Sequence, residues 1–208
     1  MANSYLDANG VFLNLLGIAD GAELERIEYE FTAVRAKTWM GYGLGFGFER
    51  LKAIHQHLMG DVYAWAGQTR IVPSRKQNPQ TGGVSIFADP EKIEQDWCLL
   101  EVQIKDFLSA DKRAFGPNRD ALTDIFIEAN RIHPFPEGNG RSLQIYTRDL
   151  AQEQGIAVDY SKVSRAEWNH ACAVSGHYGR LFERMHFIPI PRDAAPIRAV
   201  FGKIANLT

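Results

Sequence analysis

The sequence predicts an all-α fold, a helical bundle core with one small β-hairpin. Three observations carry that prediction. Apolar residues recur at three- and four-residue spacing through most of the chain, the period of a helix with one buried face. A single stretch, RIVPSRKQNPQTGGVSIFA at 70–88, shows short β-favouring runs around a polar, Gly/Pro-containing centre. The 208 residues are 45% hydrophobic, enough to close one core and too many for a disordered chain.

The elements follow in order. Asp20 is placed to cap a helix through AELERIEYEFTAVRAK, with Leu24, Ile27, Phe31 and Val34 at helical spacing. A second, through ERLKAIHQHLMGDVYAW, puts Leu51, Ile54 and Leu58 on one face. Between them, MGYGLGFGFER follows a helix and lacks the lysine of a phosphate-binding loop, so it reads as a flexible connection. The hairpin comes next, with a long basic tip, SRKQNPQTGG. Asp89 as N-cap and Pro90 at the first position open the helix of DPEKIEQDWCLLEVQIKDFL. RDALTDIFIEANRI aligns Leu122, Ile125, Phe126 and Ala129, and RSLQIYTRDLAQEQG is a helix ended by Gly155. Ser164 and Glu167 form a capping-box signature, and a last helix covers much of 194–207. Neither a repeat nor a domain-scale linker interrupts the chain, so residues 1–208 are expected to form a single domain.

Composition narrows the function classes. Lys+Arg is 23 and Asp+Glu is 25, a formal charge of −2, which argues against direct nucleic-acid binding. The first twenty residues have no basic n-region, and no run approaches the roughly 18 apolar residues of a membrane span, so a soluble cytoplasmic protein is expected. Cys98 and Cys172 fit no zinc or redox spacing and read as two buried, reduced thiols. His55, His57, His170, His177 and His186 lack ligand spacing with a carboxylate and read as core-edge or surface residues.

One stretch has a composition that core packing does not ask for: HPFPEGNGRSLQ, His133 to Gln144. It begins where one amphipathic helix ends, near Ile132, and leads into another near Arg141. A loop feeding a helix start presents unpaired N–H groups and the positive end of the helix dipole, where phosphate binds readily. Gly138 and Gly140 permit close approach and an anion nest, Arg141 adds a positive fork, and Asn139 can hydrogen-bond a phosphate oxygen. Glu137 is a hard oxygen ligand suited to Mg²⁺ held jointly with phosphates. His133 can be neutral and basic near pH 7, able to take a proton from an incoming hydroxyl. Local chemistry leaves two readings: nucleotidyl or phosphoryl transfer from a Mg²⁺–nucleotide to a hydroxyl, or an ordinary helix–turn–helix joint with GNG as its turn.

HPFPEGNGR resembles the signature of the Fic family, H-P-F-x-[D/E]-G-N-G-R-x-x-R. LERIEYEFTAVRA, HLMGDVYAWAGQTR, VSIFADPEKIE and SGHYGRLFERM are similar to further parts of bacterial Fic domains, so the resemblance covers most of residues 5–190. It implies the Fic fold, an all-α core with a β-hairpin flap over the active site, here at about 71–87. It also implies AMPylation, the transfer of AMP from ATP to a Ser, Thr or Tyr hydroxyl of a target protein with release of pyrophosphate. By position, His133 is then the general base and Glu137 the Mg²⁺ ligand. Gly138, Asn139, Gly140 and Arg141 bind phosphates, and Trp168 and Asn169 lie near the adenine. The flap holds the target segment by β-strand addition.

The match departs at the motif's final arginine, which is Gln144 here; glutamine hydrogen-bonds but cannot neutralise charge. Arg148, one turn on, shares a face with Gln144, which leaves two readings: an arginine that reaches into the site, or an ordinary surface arginine on an exposed face. The [S/T]-x-x-x-E-[G/N] motif that restrains many Fic proteins does not occur in the sequence. Two explanations stand: a separate small antitoxin that supplies the glutamate, making the chain a toxin of a toxin–antitoxin pair, or an unregulated or secreted effector. For such toxins the resemblance suggests DNA gyrase or topoisomerase IV as targets. Alternatives are another nucleotide donor, a kinase-like relative of Doc, and a degenerate Fic domain serving as a binding module.

Overall fold

The computed structural model describes residues 5–41, 43–77, 82–182 and 186–207. Helix α1 (Gly21–Thr38) starts at Asp20, whose carboxylate accepts the Glu23 N–H at 2.8 Å. Its buried stripe is Leu24, Glu28 and Thr32, while Val34 is 64% exposed. The face expected from sequence is therefore rotated: of Leu24, Ile27, Phe31 and Val34 only Leu24 is buried, and a carboxylate and a hydroxyl turn inward. α2 (Phe48–Met59) buries Leu51, Ile54 and Leu58 as expected, and His55 with them.

The hairpin strands are β1 (Arg75–Gln77) and β2 (Gly83–Ile86). Residues 78–81 of the basic tip lie outside the described residues. A 3-10 turn at Pro90–Lys92, capped by the Asp89 carboxylate, leads into α3 (Ile93–Ser109). α4 (Phe115–Ile132) buries Leu122, Ile125, Phe126 and Ala129. α5 (Asn139–Glu153) begins two residues earlier than the sequence suggested, and Gly155 follows it at φ 68°. β3 (Ile156–Val158) comes next. The Ser164 hydroxyl then caps α6 (Arg165–Val174) by accepting the Glu167 N–H at 3.1 Å. The chain closes with β4 (His177–Phe182), β5 (His186–Ile190), α7 (Ala195–Ile204) and β6 (Ala205–Leu207).

The fold is all-α in its core, with α4 packed against α3, α5 and α7, and α5 against α2. Phe48 stacks on Trp97 at 4.8 Å, and Trp97 meets Tyr146 edge-on at 5.7 Å. The hairpin does not stand alone, as the sequence had implied. It continues into an antiparallel sheet of order β1-β2-β4-β5, with Ile86 opposite His177, and β3 pairs with β6. HYGRLF has no clean two-residue alternation of apolar and polar positions; pairing to β2 makes it a strand. β1 forms one edge of this sheet, and all three of its residues are exposed. Among the described residues, no helix is long and apolar enough to cross a membrane. Cys98 is exposed rather than buried; Cys172 is partly covered, and burial pushes its thiol up to about 12.

Candidate active site

The stretch singled out from sequence lies where α4 stops and α5 starts. His133 is the C-cap of α4 with φ 50° and ψ 63°, and it is the single non-glycine residue at positive φ among those described. That conformation costs an L-residue about 1–2 kcal/mol, and glycine usually holds such a position. The surroundings hold it in place. Buried Arg70 donates from Nε to the His133 carbonyl at 2.8 Å and from Nη2 to the Ile132 carbonyl at 3.2 Å. Its other donors reach Val72 O at 3.0 Å and Ala88 O, at the two feet of the hairpin. The Arg70 N–H donates to Pro134 O at 2.8 Å. One guanidinium thus ties the hairpin to the loop.

From the hairpin side, Phe87 lies flat on the His133 ring, with centroids 3.6 Å apart and planes 8° apart. Burial, reinforced by the positive charges of Lys76 and Arg70, lowers the His133 pKa to about 3. Nδ1 is buried without a partner in hydrogen-bond geometry, although the Asn130 carbonyl is near enough to favour the protonated ring. Nε2 is therefore the ring nitrogen left for a ligand.

Phe135 anchors the loop, fully buried and stacked on His55 at 3.8 Å. Burying such a ring contributes about 1.5–3 kcal/mol. His55 accepts the Gly67 N–H on Nδ1 at 2.8 Å, which fixes the proton on Nε2, and Nε2–H donates to the Glu137 carbonyl at 2.9 Å. The histidine read as core-edge is a fully buried support for the residue proposed to bind metal.

Asn139 requires a correction. Its side chain is buried and its amide clasps Phe135 on both sides: Oδ1 accepts the Phe135 N–H at 2.9 Å and Nδ2 donates to the Phe135 carbonyl at 2.8 Å. A phosphate can use the Asn139 backbone N–H, not its amide. Gly138 caps α5 at φ 78° and its N–H donates to Glu137 Oε1 at 2.9 Å. The N–H groups of Asn139, Gly140 and Arg141 form the open first turn of α5. A Cβ on Gly138 would meet Met59 Cε at 2.1 Å, whereas one on Gly140 would meet nothing within 4 Å. The fold requires the first glycine; approach of a ligand is what would require the second.

The Glu137 side chain is 48% exposed, and one of its oxygens lies 3.6 Å from Arg141 Nη2. Among the described residues no three His, Cys, Asp or Glu gather into a metal-binding group. A single accessible carboxylate beside a turn of free backbone N–H groups fits an ion such as Mg²⁺, which takes one or two protein carboxylates and completes its shell from phosphates and water. Arg141 also reaches α1, donating to Thr32 Oγ1 at 3.1 Å and to Glu28. Gln144 and Arg148 line, with Arg141, a cavity of about 270 Å³ whose far wall includes Tyr29, Thr32 and Ala33. Trp168 meets the rings of Phe126, Tyr160 and Phe201, a packing role, and Asn169 is exposed. Sequence reasoning missed Arg70, His55, Glu28 and Tyr63; the one available signal covered two of them, since Glu28 and His55 each lie four residues after a core leucine, Leu24 and Leu51, on the buried side of a helix.

A strained histidine and an open helix start meet on one interhelical loop of a helical fold, covered by a hairpin that stacks on the histidine. Residues 46–147 match the Fic/DOC family. The protein named "Probable protein adenylyltransferase y4lH" of Sinorhizobium fredii is 34% identical over 157 residues, which cover 74% of this chain and 77% of that one. The chain belongs to the Fic/DOC family. It is also similar to protein adenylyltransferase VbhT of Bartonella schoenbuchensis, 36% identical over 181 residues. That match takes in 82% of this chain and spans about a third of VbhT's length, 34%. The crystal structure of the VirB-translocated effector BepC of Bartonella tribocorum, with bound AMPPNP, shares the fold at a TM-score of 0.77 and 20% identity, covering 98% of this chain and 97% of that one.

Proposed function

We propose that this chain is a protein adenylyltransferase that transfers AMP from Mg²⁺–ATP to a hydroxyl side chain of a target protein. The observation that carries the reading is His133, held at positive φ beside the open N-terminus of α5. Relatives carry the name protein adenylyltransferase, and BepC binds an ATP analogue, both in keeping with it.

The roles follow from position. The N–H groups of the first turn of α5 and the Arg141 guanidinium receive the phosphates, and Glu137 holds Mg²⁺, which neutralises phosphate charge when bound. The target hydroxyl attacks the α-phosphorus; its proton passes to His133 Nε2, the new O–P bond forms, the α–β bridging bond breaks and pyrophosphate leaves. A pKa of about 3 makes the ring a poor base in the free protein. Several negative charges from bound triphosphate oppose the effect of Lys76 and Arg70 and bring the ring back toward its ordinary range. Exposed edge strand β1 is the place for a target segment to add as a further strand, next to Phe87 and the histidine it covers.

The test incubates the protein and a bacterial lysate with Mg²⁺ and ATP labelled at either the α- or the γ-phosphate, beside His133→Ala. A protein band labelled from the α-phosphate alone and dependent on His133 supports AMP transfer. A γ-only label shows phosphate transfer instead and overturns it. We further propose that the chain acts in the cytoplasm as the toxin of a toxin–antitoxin pair, with a type II topoisomerase, gyrase or topoisomerase IV, as target. In this reading a separate small antitoxin supplies the inhibitory glutamate.

A further inference from the structure

α1 turns its polar side inward. Glu28 is 5% exposed and Thr32 2%, in a helix that lies against α2 and reaches across to α5. Both Glu28 carboxylate oxygens are held: Oε1 accepts from Arg141 Nη2 and Oε2 from the Tyr63 hydroxyl. Thr32 Oγ1 accepts from Arg141 Nη1 at 3.1 Å and donates back to the Glu28 carbonyl at 2.9 Å. Tyr63 is itself fixed, 2% exposed and stacked on Trp65 at 4.3 Å with planes 16° apart. Burial, then the hydrogen bond to Glu28, pushes its hydroxyl far above the ordinary tyrosine range, so it stays protonated and donating.

A buried carboxylate is costly unless it is paired and hydrogen-bonded, and here the pairing fixes one orientation of an arginine in the first turn of α5. An arginine gains specificity for phosphate through its planar fork, and only when the fork is aimed. We propose that Glu28, held by Tyr63, is a positioning residue for Arg141: with Thr32 it fixes the two terminal nitrogens of the guanidinium against α1 and so sets the orientation in which Nε and the remaining N–H hydrogens meet the phosphates the loop receives. The inference rests on Arg141 as a phosphate ligand in the proposed function.

Simple charge and positioning predict opposite signs. Removing the Glu28 charge leaves Arg141 less neutralised, which by itself strengthens anion binding; losing the aim weakens it. ATP binding is measured by calorimetry with Mg²⁺ for the wild type, Glu28→Gln, Tyr63→Phe, Arg141→Ala and the two double variants with Arg141→Ala, each checked for a cooperative thermal transition. Glu28→Gln is expected to weaken ATP binding about tenfold to a hundredfold, the usual cost of losing a group that orients a ligand-binding side chain. Tyr63→Phe loses less. In the Arg141→Ala background neither substitution costs anything further, because both act through Arg141. Unchanged or tighter binding by Glu28→Gln overturns the proposal. So do losses that add to that of Arg141→Ala, and so does ATP binding by Arg141→Ala equal to that of the wild type. If Glu28→Gln does not fold, the Tyr63→Phe cycle decides by the same criterion. Binding is read without group transfer, so failure of AMP transfer and failure of this inference are separate results.

Discussion

Acidification is expected to weaken the loop from beneath, through His55. This ring is fully buried, and burial, the largest influence, lowers its pKa from 6.5 to about 4. Its contacts give the reason in structural terms. Nδ1 accepts a hydrogen bond from the Gly67 N–H, so a proton there would set N–H against N–H. The sign follows from the depressed folded value. Between pH 6.5 and 4 the unfolded chain binds a proton on this ring and the folded chain does not. The stability it contributes is therefore present above about pH 6.5 and is lost as the pH falls toward 4. The gap amounts to about 3 kcal/mol in all, with a slope near 1.4 kcal/mol per pH unit while the difference is one proton. His133, lowered to about 3, titrates in the same direction and adds to the slope. Urea unfolding of the wild type and His55→Gln at pH 7, 6 and 5 reads both quantities. The variant is expected to be less stable at pH 7, because the Gly67 and Glu137 contacts and the stack on Phe135 are disturbed. Its stability is also expected to fall less steeply with acid, by about one proton's worth. An unchanged slope in His55→Gln would falsify this account of the support beneath the loop.

Two further substitutions separate fold from ligand. Gly138→Ala must adopt φ 78° and displace Met59 Cε, so it is expected to cost about 2–4 kcal/mol in urea unfolding, while Gly140→Ala, facing open space, leaves stability unchanged and lowers ATP affinity; equal destabilisation by both would contradict the geometry. Arg148→Ala removes a cation from the cavity that Gln144 shares, where its hydrogen bond within the protein is a 3.3 Å contact to Asp149. A charged hydrogen bond of about 1.5–3 kcal/mol corresponds to a tenfold to hundredfold loss of ATP affinity, and a titration matching the wild type would show Gln144 acting alone.

Most of the bundle and the chemical nature of the loop were legible in the sequence. The expected helices are present because their periodicity and caps are local: Asp20 and Ser164 each accept an N–H of the first turn they cap, Asp89 caps a 3-10 turn so that the α-helix beyond it starts only at Ile93, and Leu122 to Ala129 face the core. His133, Glu137, Gly138 and Arg141 stood out because they are contiguous and chemically unusual together. What holds them was not legible, because it comes from far along the chain. Arg70 is 63 positions from His133, His55 is 82 from Glu137, and Glu28 is 113 from Arg141. Such pairings leave no local period, and each supporting residue has an innocuous local interpretation: a surface arginine, a helix-edge histidine, a solvated glutamate. Asn139 shows the converse, a residue whose type pointed to phosphate and whose fold-given role is to close the turn on Phe135.

The rotated face of α1 shows how the two kinds of information meet. Leu24, Ile27, Phe31 and Val34 satisfy a helical period, yet Leu24, Glu28 and Thr32 satisfy it equally well, and the second set is buried. Hydrophobicity favours the first set; the unmet donors of Arg141 and Tyr63 favour the second, because an unpaired buried polar group costs more than an exposed Val34. The helix that looks least amphipathic is the one whose inward stripe serves the loop. Local pattern and tertiary structure disagree where a site is being built, so a conflict of this kind on a helix next to a candidate site is itself evidence for which residues support that site.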